Sequence, residues 1–241
     1  MSGPLYPVAI LAGGLAIRLL PQTATAPKAL VDVNGEPFIG HQLRLLRANG
    51  VERVVICGGY LGEMIHAFVG NGGRFGLEVE FSFDGPRPLG TGGAVRKALP
   101  LLGEAFFVLY GDSYLTCDYR TVQAEFERRG KLGLMTVFRN DDRWDRSNVT
   151  FSDGTVLAYD KRNRTAAMHH IDYGLGVLRR AAFDRLADGE PSDLADLYRE
   201  LVERGKLAGY EVDQRFFEIG SFVGLEEMRN YLGAQRQHSA P

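Results

Sequence analysis

"LAGGLAIRLLP", Leu11 to Pro21, follows the apolar run Val8-Ala9-Ile10 and precedes "PKAL", Pro27 to Leu30. A short apolar run that ends in two adjacent glycines predicts a buried strand opening into a tight turn. In an open parallel sheet, the first such turn is a common phosphate site. Gly13 and Gly14 carry no side chain, so backbone N–H groups could approach a phosphate or base closely. Arg18 supplies a forked cation and Lys28 a point charge. The spacing is neither G-x-G-x-x-G nor G-x-x-x-x-G-K-[ST], so neither the dinucleotide fingerprint nor the P-loop applies. Taken alone, the stretch fits a phosphate grip and a plain turn with two surface cations equally well.

Working outward, apolar runs that predict buried strands recur at Tyr6–Ala12, Arg53–Cys57, Leu77–Ser82, Phe106–Tyr110 and Gly133–Phe138. Helical spacing lies between them, at Phe38–Asn49 with Gly50 as a stop, Glu63–Val69, Thr91–Leu99 and Tyr119–Arg129. Alternating units of this kind predict a mostly parallel sheet with helices on both faces. The rhythm changes near residue 140. Asn148–Asp160 holds two alternating runs around Asp153-Gly154, a hairpin signal. Then come a strand at Ile171–Leu178, helices at Ala181–Leu186 and Ser192–Glu203, strands at Ala208–Val212 and Arg215–Ile219, and a closing helix at Leu225–Leu232. The expectation is a single domain over 1–234, with a nucleotide-binding half at 1–140 and a smaller mixed α+β lobe at 141–234. The polar tail 235–241 is expected to fray.

The 241 residues are 45% hydrophobic and 24% charged, which suits a globular chain and excludes disorder. A net charge of -2 offers no global field for nucleic acid, so anion binding must come from local placement of Arg and Lys. Cys57 and Cys117 are the only cysteines, both beside apolar runs, and are expected as reduced thiols. With no signal-peptide pattern at the N-terminus and no apolar run long enough for a membrane span, the expectation is a cytoplasmic protein without membrane contact.

Three further segments carry candidate chemistry. Gly90-Thr91-Gly92-Gly93 precedes a helix, where backbone N–H groups could seat a ligand, although a helix cap at Thr91 explains the same residues. Asp112 follows Gly111 at a strand's carboxyl end, where it could be a Mg²⁺ ligand or a turn aspartate. Adjacent His169 and His170 would point to opposite faces of a strand, so a shared metal ion is not expected.

The opening run resembles the signature of the sugar-1-phosphate nucleotidyltransferases, L-A-G-G-x-G-T-R-L-x-P-L-T followed by P-K-P-L and V-x-G-K-P. Five more landmarks follow in the same order: "PLGTGGAV" (Pro88 to Val95), "LYGDS" (Leu109 to Ser113), "YDK" (Tyr159 to Lys161), "IDYGLGVL" (Ile171 to Leu178) and "FFEIGS" (Phe216 to Ser221). The resemblance implies a Rossmann-like sheet of the glycosyltransferase-A type. It implies nucleoside triphosphate held by Leu11, Ala12, Gly13, Gly14, Gly90, Thr91, Gly92 and Gly93, with Arg18, Lys28 and Lys161 catalytic. Gly111, Lys161, Asp172, Tyr173 and Gly174 would hold the sugar phosphate, and Asp112 and Glu218 a Mg²⁺ ion. Lys161 alone could equally be a solvated lysine on a hairpin.

The chemistry implied needs few acids or bases, because a sugar-1-phosphate oxygen is already an anion able to attack the α-phosphorus. Glycines, cations and carboxylates at the matched positions suit that task. Three positions depart from the pattern. Ala16-Ile17 replace Gly-Thr before the arginine, and Glu218 replaces the aspartate of D-I-G. "PLGTGGA" and the short chain most resemble the heptose-1-phosphate and mannose-1-phosphate guanylyltransferases, so GTP is the expected nucleotide, with dTTP, UTP and CTP as alternatives. A rival from another class is a homologue that binds nucleotide or sugar without turnover. Homo-oligomerisation is left open.

Overall fold

A computed structural model describes residues 3–14 and 26–238; Ala16, Ile17 and Arg18 lie outside them. The first strand, β1 (Val8–Ala12), is followed by a 3₁₀ turn at Lys28–Leu30 and a small hairpin, β2 (Asp32–Val33) and β3 (Glu36–Pro37). Next come α1 (Phe38–Ala48), β4 (Arg53–Gly58), α2 (Gly62–Val69), β5 (Glu78–Phe83), α3 (Gly90–Leu102) and β6 (Ala105–Tyr110). The chain continues through β7 (Ser113–Tyr114), α4 (Tyr119–Arg129), β8 (Gly133–Arg139), β9 (Val149–Ser152), β10 (Thr155–Tyr159) and β11 (His170–Arg179). It closes with α5 (Leu194–Glu203), β12 (Leu207–Val212), β13 (Phe217–Glu218) and α6 (Phe222–His238).

Nine strands form one sheet in the order β5-β4-β1-β6-β11-β8-β12-β10-β9. The first four are mutually parallel. From β11 onward the sheet is mixed: β11 is antiparallel to both β6 and β8, and β12 runs parallel to β8. β1, β4 and β6 are apolar on both faces, as a sheet covered by helices on both sides requires, while the edge strand β5 alternates Glu78 and Glu80 with Val79 and Phe81. Val8 and Ile10, Val54 and Ile56, and Phe107 and Leu109 enter one core with Ile39, Leu43, Ile65 and Phe126 of the helices. The alternate residues Ala9, Val55, Cys57, Phe106 and Val108 enter the opposite core with Val95, Leu99, Leu197 and Leu201. A third cluster packs α6 on the β2–β3 hairpin through Val33, Tyr114, Ile219, Leu225 and Met228.

Several boundaries differ from the sequence expectation. Only Phe217 and Glu218 of the strand expected at Arg215–Ile219 pair, with Tyr114 and Ser113. The helix expected at Ala181–Leu186 is a 3₁₀ turn over Arg180–Phe183. The expected start at Ser192 moves to Leu194, because Asp193 caps the helix by accepting from the Ala195 N–H. α6 extends past the expected helix end at Leu232, to His238. Both cysteines are free and buried. Among the described residues no helix is long and apolar enough to cross a membrane.

Candidate active site

The parallel strands place the site. The chain builds β1, β4 and β5 to one side and then crosses to β6 on the other, so the sheet has a switch point between β1 and β6. Ligands bind at the carboxyl ends of strands at such a point. A cavity of about 270 Å³ opens there, lined by Leu11, Ala12, Gly13, Gly14, Lys28, Asp84, Pro88, Gly90, Thr91 and the Tyr110–Asp112 turn. Its walls depend on close backbone approaches. The Gly111 N–H donates to the Leu11 carbonyl at 2.9 Å. A Cβ on Gly111 would lie 2.8 Å from that oxygen.

A second cavity of about 350 Å³ lies beside the first and is lined by Lys161, Arg164, Asp172, Tyr173, Gly174, Asp145, Arg146 and Glu218, among others. Tyr110 and Asp112 line both cavities. Asp112 is fixed by the β7–β13 pairing, its carbonyl accepting from the Ile219 N–H at 2.9 Å. That pairing brings Glu218 to the same cavity wall. Lys28 Nζ donates to Asp112 Oδ2 at 2.6 Å, reaching across from the 3₁₀ turn.

Lys161 is held in a built environment. It lies 3.6 Å from Asp172 Oδ2 and over the rings of Tyr110 and Tyr159, at 5.1 and 5.9 Å from their centroids. The Asp172 side chain is 5% exposed. Its Oδ1 accepts from the Gly174 N–H and its Oδ2 from the Tyr159 hydroxyl. β11 breaks register after Asp172, with Gly174 at φ +98° turning the strand at the cavity wall. Burial, and then the Asp172 charge, push the phenols of Tyr110 and Tyr159 well above the ordinary tyrosine value, so both stay neutral donors.

The sequence-nominated residues fall into three groups. Leu11 to Gly14, Gly90, Thr91, Lys28 and Asp112 meet at the first cavity, and Lys161, Asp172, Tyr173, Gly174, Asp112 and Glu218 at the second. Gly111, nominated for the sugar phosphate, lines the first cavity instead, and its N–H is spent on Leu11. Gly92 and Gly93 line neither cavity. Their N–H groups donate to the Ser192 carbonyl at 2.9 and 3.3 Å, and a Cβ on either would lie within 3 Å of the 190–192 segment. Their glycines serve the close packing of α3 against the lead-in to α5. Thr91 is not a cap but the second residue of α3, and its hydroxyl donates to Asp193 and accepts from the Leu194 N–H. His169 and His170 turn to different partners, Asp141 and Glu211.

The Nucleotidyl transferase family model matches residues 8–232. The chain belongs to the nucleotidyl transferase family. An N-acetylmuramate alpha-1-phosphate uridylyltransferase from Neisseria meningitidis serogroup B is 29% identical, covering 93% of this chain and 97% of its own length. A D-glycero-alpha-D-manno-heptose 1-phosphate guanylyltransferase from Aneurinibacillus thermoaerophilus is 28% identical, covering 88% and 91%. The crystal structure of HddC from Yersinia pseudotuberculosis complexed with GMP-PN superposes with a TM-score of 0.79 at 24% identity, over 95% of this chain and all of that one. That likeness establishes the fold. Several longer curated relatives are spanned over 62% to 65% of their length.

For a sugar-1-phosphate nucleotidyltransferase, two cavities joined at one edge suit two phosphorylated substrates. Sequence reasoning missed Asp84, Pro88 and Tyr110 in the first cavity, and Asp145, Arg146, Asn148, Arg164 and Phe216 in the second. Asp84 follows β5 at the carboxyl end of a parallel strand, which is a topological signal. Arg146 and Arg164 sit in loops with no motif around them.

Proposed function

We propose that this nucleotidyltransferase joins GTP and a heptose- or mannose-type sugar 1-phosphate to give a GDP-sugar and pyrophosphate. The observation that carries the reading is the sharing of Tyr110 and Asp112 between the two cavities, which makes that edge their common wall among the described residues. The nucleotide takes the glycine-walled cavity and the acceptor the charged one. An acceptor phosphate oxygen attacks the α-phosphorus as the bond to the bridging α–β oxygen breaks, and that electron pair leaves with pyrophosphate. No proton need move. The chain contributes by alignment and by neutralising charge.

Lys28, held at the shared edge by Asp112, carries an ammonium to phosphate oxygens there, and Lys161 does so from the acceptor side. Asp112 and Glu218 offer hard oxygens on one wall, and Asp112 Oδ2 already accepts a cation in the form of Lys28. Among the described residues no group of three or more His, Cys, Asp and Glu could hold a metal. Two carboxylates on one wall fit Mg²⁺, which takes one or two carboxylates and fills its shell with phosphate oxygens and water. When bound, it would neutralise triphosphate charge. Arg18 would add a guanidinium to the same triphosphate.

The guanylyl assignment is supported by the "PLGTGGA" resemblance and the Aneurinibacillus relative. The Neisseria relative, matched over nearly its full length, favours UTP as a second reading. Incubating the protein and Mg²⁺ with five nucleoside triphosphates and a panel of sugar 1-phosphates, while following pyrophosphate, tests both. Release with GTP and a mannose- or heptose-type ester is expected. Preference for UTP selects the second reading, and silence across the panel with measurable nucleotide binding leaves a non-catalytic binder.

A further inference from the structure

The charges of the acceptor cavity can be matched to partners one by one. Asp112 is paired with Lys28, and Asp172 with Lys161. Glu218 also has an interaction partner. Among the described residues, the Asp145 carboxylate accepts only from the N–H of Arg146, on one oxygen. Among the described residues, neither the Arg146 nor the Arg164 guanidinium meets a carboxylate or any other acceptor, although both line the cavity. Two unpaired forked cations therefore share a space of about 350 Å³ with Lys161.

The loop that delivers Arg146 is fixed in place. Asn140 is buried; its side-chain amide donates to the Asp145 carbonyl and the Ser147 hydroxyl, and its amide oxygen accepts from the Trp144 N–H. Ser147 and Asp142 exchange a reciprocal pair of bonds, at 3.1 and 2.6 Å. Trp144 lies on the Arg215 guanidinium, 3.5 Å from the ring centroid, and Arg215 pairs with Glu227 of α6. Such a loop fixes the backbone from which Arg146 carries its guanidinium, a group suited to forked recognition of a phosphate.

We propose that Arg146 and Arg164 hold the acceptor's phosphate, and that the acceptor is a sugar 1-phosphate in which this phosphate is the only anion. The inference rests on the reaction proposed above and narrows its acceptor. Two unpaired arginines match one phosphate dianion beside the Lys161 that Asp172 already neutralises, and among the described residues no third unpaired cation lines the cavity for a second acidic group. Asp145, with one oxygen uncommitted, accepts a sugar hydroxyl and repels a carboxylate. A neutral hexose or heptose ester fits this balance; a sugar bearing a carboxylate does not.

Calorimetric titration tests this without turnover. The protein, with Mg²⁺ and a non-hydrolysable GTP analogue, is titrated with mannose 1-phosphate and, separately, with N-acetylmuramate 1-phosphate, whose lactyl group carries a carboxylate. The neutral ester is expected to bind at least ten-fold more tightly. Arg146→Ala and Arg164→Ala should each weaken it at least ten-fold while changing the analogue's affinity less than two-fold, and Arg146→Lys should recover part of the loss. Asp145→Asn should narrow the gap between the two esters. Unaltered ester binding in both alanine variants, tighter binding of N-acetylmuramate 1-phosphate, or no saturable binding of either ester overturns the inference. Pyrophosphate release by the unmodified protein judges the reaction separately.

Discussion

The two cavities share an edge and are built by opposite means. The cavity proposed for the nucleotide is walled by backbone: β1, β4 and β6 converge, and Gly13, Gly59 and Gly111 let their loops approach to contact distance. A Cβ on Gly59 would lie 2.9 Å from the Gly13 carbonyl. The cavity proposed for the acceptor is walled by side chains, with Lys161, Asp172 and Tyr159 linked to one another and Arg146 carried on a cross-bonded loop. Steric additions should therefore damage the first, and charge changes the second. The shared edge, where Asp112 sits, should be sensitive to both.

The largest effect is expected at that edge. Asp112→Asn removes the charge that holds Lys28 and should lower kcat by about 10²–10³-fold, measured as pyrophosphate release, with binding of nucleotide far less affected. Preserved turnover would detach the chemistry from the shared wall. Next is Gly90→Ala. Gly90 has φ +69°, and its Cβ would fall 2.5 Å from the Ser192 carbonyl. A cost of about 2 kcal/mol is expected for the left-handed backbone and the displaced segment, visible as a drop of about 5 °C in Tm together with a raised nucleotide KM.

Thr91→Val sharpens the comparison on the same helix. Its hydroxyl is committed to Asp193 and Leu194, so the expected loss is about 1 kcal/mol of stability in denaturant titration. Nucleotide KM should stay within about two-fold, and a larger rise would give the hydroxyl a ligand after all. The smallest effect is expected at Cys57, which lines the first cavity but whose thiol burial pushes up to about 12. It stays protonated at pH 8, so iodoacetamide treatment there should leave activity and mass unchanged.

Much of the fold was legible because parallel strands buried on both faces write themselves as unbroken apolar runs. Val8–Ile10, Val54–Cys57 and Phe106–Leu109 are such runs, and each distributes alternate residues to the two cores. The weaker signals failed where structure depends on a distant partner. Phe217-Glu218 is a strand only because Ser113-Tyr114 lies opposite, and nothing in "RFFEI" sets its length at two residues. Glycine motifs were ambiguous in a different way. "GTGG" marks a need for small residues, but whether a ligand or the 190–192 segment approaches them is fixed by what packs alongside.

The sequence by itself determined the alternation of strands and helices, the family landmarks and the identity of the charged and glycine positions, because these are local patterns of polarity and residue size. Tertiary structure alone decided which charges meet. Lys28 and Asp112 stand 84 residues apart in the chain, yet form one ion pair. Arg146 and Arg164 line the second cavity without a carboxylate partner among the described residues, while Asp172 beside them is committed to Lys161 and Tyr159. Pairing is a matter of distance in space, and a chain pattern carries no record of which acid each cation will find.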